Sequence, residues 1–132
     1  MTFNWKDYLT FAENLQAAPN VPGPQEAALR SAVSRAYYAA FRAALEHGKK
    51  NGFIATRTGE DHNKIREYFR KIQSNQKKNR DISTQLDRLH DYRRQADYEN
   101  TLKTKPENMI VYAIGMAKKV FQDIEDLSNQ SS

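Results

Sequence analysis

The stretch DISTQLDRLHDYRRQADYEN, residues 81–100, places Ile82, Leu86, Leu89 and Ala96 at helical spacing. That spacing predicts an α-helix from about Ile82 to Glu99 with one buried face. Arg93 falls on the same face, where a hydrophobic side chain would be expected. Asp97 stands one turn further on, at the i,i+4 distance where an arginine and a carboxylate pair. An unpaired buried guanidinium is very costly, so Arg93 needs a partner: Asp97 locally, or the hydroxyl of Tyr37 or Ser34 from another helix. Two readings fit such a residue. One is an ion pair that fixes helix register; the other is an anion pocket, because a guanidinium matches phosphate. His90, three residues before Arg93, shares the face.

The rest of the chain reads as helix too. Trp5, Tyr8, Leu9, Ala12 and Leu15 mark one face of a first helix, from about Phe3 to Ala18, which "PNVPG" ends. A second helix is expected from near Pro24 to about His47, with Leu29, Val33, Ala36, Ala40 and Ala44 in register and Tyr37, Phe41 and Leu45 beside them. Its alanines allow another helix to approach closely. "GKKNG" is expected to stop it, leaving a loop from Gly48 to Thr58. Thr58-Gly59-Glu60-Asp61 has the form of a capping box for a third helix with Ile65, Phe69 and Ile72 buried. Thr104-Lys105-Pro106-Glu107 opens a fifth helix burying Ile110, Ala113, Ile114, Ala117, Val120, Phe121, Ile124 and Leu127. The fold class expected is all-α: a five-helix, up-and-down bundle forming a single domain over residues 1–132.

Composition narrows the function classes. The chain has no cysteine, which removes disulfides and cysteine-ligated metal centres; no metal and no cofactor is expected. The opening MTFNWKDYL lacks the basic start and apolar core of a signal peptide, and no apolar run approaches the ~20 residues of a membrane span. A cytoplasmic protein without a membrane partner is therefore expected. The net charge of +5, from 21 Lys+Arg against 16 Asp+Glu, leans toward anionic partners such as RNA, nucleotides or an acidic protein.

The second helix adds a motif of its own. SRAYYAAF, Ser34 to Phe41, sets a serine, an arginine and paired tyrosines beside the alanine stripe. Arg35, Tyr38 and Arg42 follow one flank at i, i+3 and i+7, where an aromatic between two arginines can grip a base or a phosphate; it can equally be a solvated edge. SRAYYAAF, His62 ahead of Ile65 and Phe69, and RRQADY at Arg93–Tyr98 together resemble the HEPN superfamily. The closest resemblance is to a small bacterial branch with Ser-Arg-x-Tyr-Tyr-Ala on one helix and Arg-x-x-Ala-Asp-Tyr on a later one. It spans roughly Ser34 to Tyr98.

That resemblance implies a four- or five-helix bundle, commonly a homodimer. It also implies either a metal-independent ribonuclease acting as a toxin or in defence, or a non-catalytic partner of a minimal nucleotidyltransferase antitoxin. In the nuclease reading Arg93 clamps phosphate, His90 or His62 moves protons, and Asp97 orients them. Arg35, Tyr38, Arg42, Arg57 and Arg94 then contact nucleic acid or nucleotide. In the binding reading, Arg93 and Asp97 are a structural pair and Tyr98, or another exposed tyrosine, is a target for nucleotide addition. A purely structural helical dimer is the third reading.

The sequence departs from the nuclease pattern, which carries Arg, four to six residues, then His late in the bundle. Here that spacing occurs earlier, at Arg42 to His47 and Arg57 to His62. The first pair points apart on a helix. The second joins a basic loop to a helix start, a natural anion site, while His62 also suits a packed core position.

Overall fold

The computed structural model describes residues 2–17 and 25–130, and the chain is an all-α bundle. Five helices form it among the described residues: α1 Lys6–Ala17, α2 Gln25–Lys50, α3 Asp61–Lys71, α4 Gln76–Tyr98 and α5 Pro106–Gln130. The expected PNVPG turn and the Pro24 start of the second helix lie outside the described residues.

At 26 residues, α2 is about 39 Å long and forms the axis of the bundle. Its alanines Ala32, Ala36, Ala39, Ala40 and Ala44 are wholly buried, so α1, α4 and α5 approach it closely. The pairings fix direction. Arg30, Ser34 and Tyr38 on α2 meet Glu99, Asp97 and Arg93 in turn, so α2 and α4 run antiparallel. Lys78 meets Asp126 and Tyr92 meets Tyr112, which makes α4 and α5 antiparallel as well. Between α2 and α3, residues 51–60 carry the chain back along the flank of α2. This return delivers His62 to the middle of α2, beside Tyr37 and Phe41.

Expected boundaries move: the first helix starts at Lys6 rather than near Phe3, and two others shift with a visible cause. The second helix does not stop at Gly48. It continues to Lys50 and ends in a Schellman motif, with Gly52 at φ 103, Phe53 N–H on the Gly48 carbonyl at 2.8 Å and Gly52 N–H on Lys49 at 3.4 Å. Gly48 is a packing residue instead, since a Cβ there would lie 2.8 Å from Ile65 Cδ1 and 3.2 Å from Phe53 Cβ. The fourth helix begins at Gln76, six residues before Ile82, because Asn79 is buried and its amide donates to the carbonyls of Ser74 and Asn75.

The capping box at Thr58 does not form around the helix start. Glu60 is the N-cap and makes no side-chain cap bond. Asp61 reaches backward instead, accepting from Thr56 N–H (2.8 Å), Thr56 hydroxyl (2.8 Å) and Arg57 N–H (2.9 Å). In α5 the expected stripe is buried except at Phe121 and Ile124, which are partly covered; Met109 and Asp123 are buried in addition. No helix among the described residues is long and apolar enough to cross a membrane.

Candidate functional site

The polar features of α2, α3 and α4 converge on one phenol. Tyr37 is 1 % exposed, yet its hydroxyl is polar and needs a partner. It finds Nδ1 of His62, whose ring lies stacked on Phe41 with centroids 4.1 Å apart. His90 of α4 closes the other side, 5.6 Å from the Tyr37 ring and 5.9 Å from that of His62. The two histidines, 28 positions apart in sequence, are therefore neighbours.

The electrostatics follow from what surrounds them. Burial, then the neighbouring His90 and the Arg93 and Arg66 guanidiniums, bring the His62 imidazole down from 6.5 to about 4. His90 is lowered in the same sense by burial and by Arg66, Arg93 and Arg94. Burial raises the Tyr37 phenol far above its ordinary value. Both imidazoles are thus neutral at pH 7 and the phenol stays protonated. Tyr37 has no other hydrogen-bond partner among the described residues, so its hydroxyl donates to Nδ1 and the His62 ring proton sits on Nε2. Neither ring nitrogen of His90 is hydrogen-bonded among the described residues, which leaves it free to accept a proton.

Arg93 is not sunk in the core. Its side chain is 18 % exposed and runs along the core edge to the rim, as a long aliphatic stem allows. Nε lies 3.0 Å from Asp97 Oδ2, and Nη2 donates to the Tyr38 hydroxyl at 2.9 Å. The partner from α2 is thus Tyr38, not Tyr37, whose hydroxyl is taken by His62. Ser34 instead serves the carboxylate, donating to Asp97 at 3.3 Å.

The flank Arg35, Tyr38, Arg42 divides. Arg35 lies over the rings of Tyr8 (4.9 Å) and Tyr38 (5.6 Å), facing the Arg93 side. Arg42 stacks on Trp5 at 4.4 Å and pairs with Glu46 at 3.1 Å, lining another cleft. The arginines use aromatic faces within the protein, so Tyr38 is not a free platform between them. Tyr98 is 70 % exposed, with the Arg93 guanidinium 5.5 Å from its ring.

Three clefts open around this cluster. His62, Arg42, Arg57 and Lys49 share one of about 290 Å³ between α2, the 51–60 segment and α3. Arg57 is held there with φ 62, a left-handed conformation uncommon for a side-chain-bearing residue, by the Asp61 carboxylate on its N–H. His90, Arg88 and Arg94 face a second, of about 530 Å³, with Asp87, Asp91 and Tyr92. Arg35 and Arg93 face a third, of about 380 Å³. His47 lies elsewhere, stacked on Phe69, so the Arg42–His47 pair indeed points apart.

One residue of the cluster escaped the sequence reading. Arg66 is 8 % exposed; its Nε stands 3.6 Å from Asp87 and its Nη1 is buried without a hydrogen-bond partner. The signal was present: Arg66 follows His62 by four residues, which sets both on one face of α3. No three His, Asp or Glu side chains gather as a metal-ligand set among the described residues. Compared with protein-family models, curated proteins and solved structures, the chain finds no match in any of the three.

Proposed function

We propose that the chain is a HEPN-type domain that binds RNA or a nucleotide through phosphate, as the toxin-like member of a pair with a minimal nucleotidyltransferase, and that it works as a homodimer. The observation that carries the reading is the cluster around Tyr37. His62, His90, Arg66 and Arg93 surround one buried phenol, and the carboxylates nearest the two guanidiniums, Asp87 and Asp97, stand at its edge. The imidazoles are neutral and each guanidinium faces one carboxylate. The excess positive charge that favours an anion comes from exposed Arg57 and Arg94, which have no ion pair among the described residues and line the clefts of His62 and His90.

Cleavage is a second reading, favoured by the free neutral ring of His90. As general base it would take the proton from a ribose 2′-hydroxyl while Arg93 and Arg66 stabilise the negative charge on the phosphoryl oxygens. The leaving 5′-oxygen also needs a proton, and His62, neutral down to about pH 4, is a poor donor. Water must then supply it, so binding outweighs turnover.

Fluorescence anisotropy with a labelled single-stranded RNA tests the reading. Arg57→Ala and Arg94→Ala should each weaken binding roughly three- to tenfold at low salt. Lys77→Ala, at the far end of α4, should leave it unchanged. RNA that stays intact in the presence of chelator, for wild type and His90→Ala alike, restricts the function to binding. Equal affinity of all variants for RNA contradicts the proposed interface.

A further inference from the structure

A cleft of about 310 Å³ opens where the C-terminal ends of α2 and α5 meet the turn between α3 and α4. No Lys, Arg, Asp or Glu lines it among the described residues, in a chain that is 28 % charged. His47, on its wall, follows Tyr37 by ten residues on α2, about 15 Å along the helix, so the cleft stands apart from the histidine cluster. Burial and the neighbouring Lys50 lower the His47 imidazole, which keeps it neutral at pH 7. Asn79, on the same wall, is 3 % exposed, and its amide nitrogen donates to the Ser74 and Asn75 carbonyls at 3.0 and 3.1 Å. Those two bonds fix the side chain, while its Oδ1 is buried without a hydrogen-bond partner.

A buried carbonyl oxygen that accepts nothing is costly, and a donor entering from the cleft would satisfy it. Groups that could answer the rest of such a ligand are uncommitted. Neither ring nitrogen of His47 nor the side chains of Ser74 and Asn75 make a hydrogen bond among the described residues. The Tyr68 ring, Ile72 and Leu127 supply an apolar wall, and the Tyr68 hydroxyl is held on the Asn51 carbonyl at 3.1 Å. An acceptor without a partner, open donors and an apolar wall, with no charge among them, match an uncharged planar ring that carries a carboxamide. We infer that this cleft binds such a ligand, its carboxamide N–H donating to Asn79 and its carbonyl accepting from the His47 ring. A charged ligand is refused, because no counter-charge meets it inside. The volume lies in the range of small-molecule sites. The site shares no residue with the proposed RNA interface and does not depend on it.

Titration of the ¹⁵N-labelled wild-type protein with nicotinamide, nicotinate and N,N-dimethylnicotinamide, followed by NMR, tests this. The three share one ring and differ in charge and in the amide N–H. Nicotinamide should bind saturably and move the Asn79 side-chain amide signals. Nicotinate, with a carboxylate in place of the amide, and the dimethyl amide, with no N–H, should each bind at least about tenfold more weakly. His47→Phe, which keeps a flat ring beside Phe69, should weaken nicotinamide about fivefold. Ser74→Arg, at an exposed position, should shift the preference toward nicotinate by at least about fivefold. RNA anisotropy should be unchanged by saturating nicotinamide, so the two readings fail separately. The inference is overturned if nicotinamide does not saturate, binds without moving Asn79, or binds no better than nicotinate and the dimethyl amide. Release of RNA by nicotinamide would place the ligand at the Tyr37 cluster and overturn it as well.

Discussion

His62 shows how one side chain couples the fold to its chemistry. In the unfolded chain it titrates near 6.5, and in the fold near 4, because burial and the surrounding cations disfavour its charged form. Below pH 6.5 the unfolded chain therefore takes up a proton that the folded state refuses. Stability should fall as the pH is lowered from 6.5 through 4, and His62 should add nothing to the pH dependence above 7. His47 and His90, lowered in the same direction, add to the fall. Differential scanning fluorimetry should show a melting temperature that declines as the pH is lowered from 8 to 4.5, less steeply in His62→Gln; an identical slope in the variant would mean that His62 is not held neutral. Arg93 invites a different magnitude. A fully buried pair would lose several kcal/mol on truncation, but these side chains are 18 % and 29 % exposed. Arg93→Ala should cost about 1–2 kcal/mol in urea unfolding, from the ion pair and the Tyr38 hydrogen bond together. A loss near 5 kcal/mol would place the guanidinium in the core after all.

At the scale of the helices, the apolar periodicity of α2 and α5 was legible because nearly every marked residue packs inward. Element ends were less so. The start of α4 runs through Gln76, Lys77, Lys78, Asn79 and Arg80, which offer no hydrophobic period; what holds the turn is the Asn79 amide on two carbonyls. Gly48 reads as a stop in sequence, yet the true stop is Gly52, and a close approach of α3 explains Gly48. The two helical glycines Gly48 and Gly115 separate propensity from packing. Gly115→Ala meets nothing within 4 Å and should stabilise by about 0.5–1 kcal/mol, the usual helix preference for alanine. Gly48→Ala gains the same preference but forces Ile65 and Phe53 aside, and a tight core resists by about 1–3 kcal/mol, so a net loss is expected. Thermal melting of the two variants should shift in opposite directions.

For the molecule as a whole, sequence spacing placed His90, Arg93 and Asp97 on one helix, and the motifs singled out α2 as their neighbour. Whether His62 would join them was not legible, because that depends on the return path of residues 51–60, which no periodicity encodes. Arg66 stayed hidden as an ordinary polar residue of a short helix until α4 packed over it. The division of the Arg35, Tyr38, Arg42 flank depended on where the aromatics of α1 would lie. What the assembled cluster is for can be read at the imidazoles themselves. Titrating a short single-stranded RNA into the ¹⁵N-labelled protein, while following the ring nitrogens of His62 and His90 by NMR, reports directly on phosphate beside them. Both sets of signals should move and saturate with the anisotropy curve, and the His62 pKa should rise above about 4, since a bound anion favours imidazolium. RNA that binds without moving either histidine, or does not bind, contradicts a phosphate site at the Tyr37 cluster.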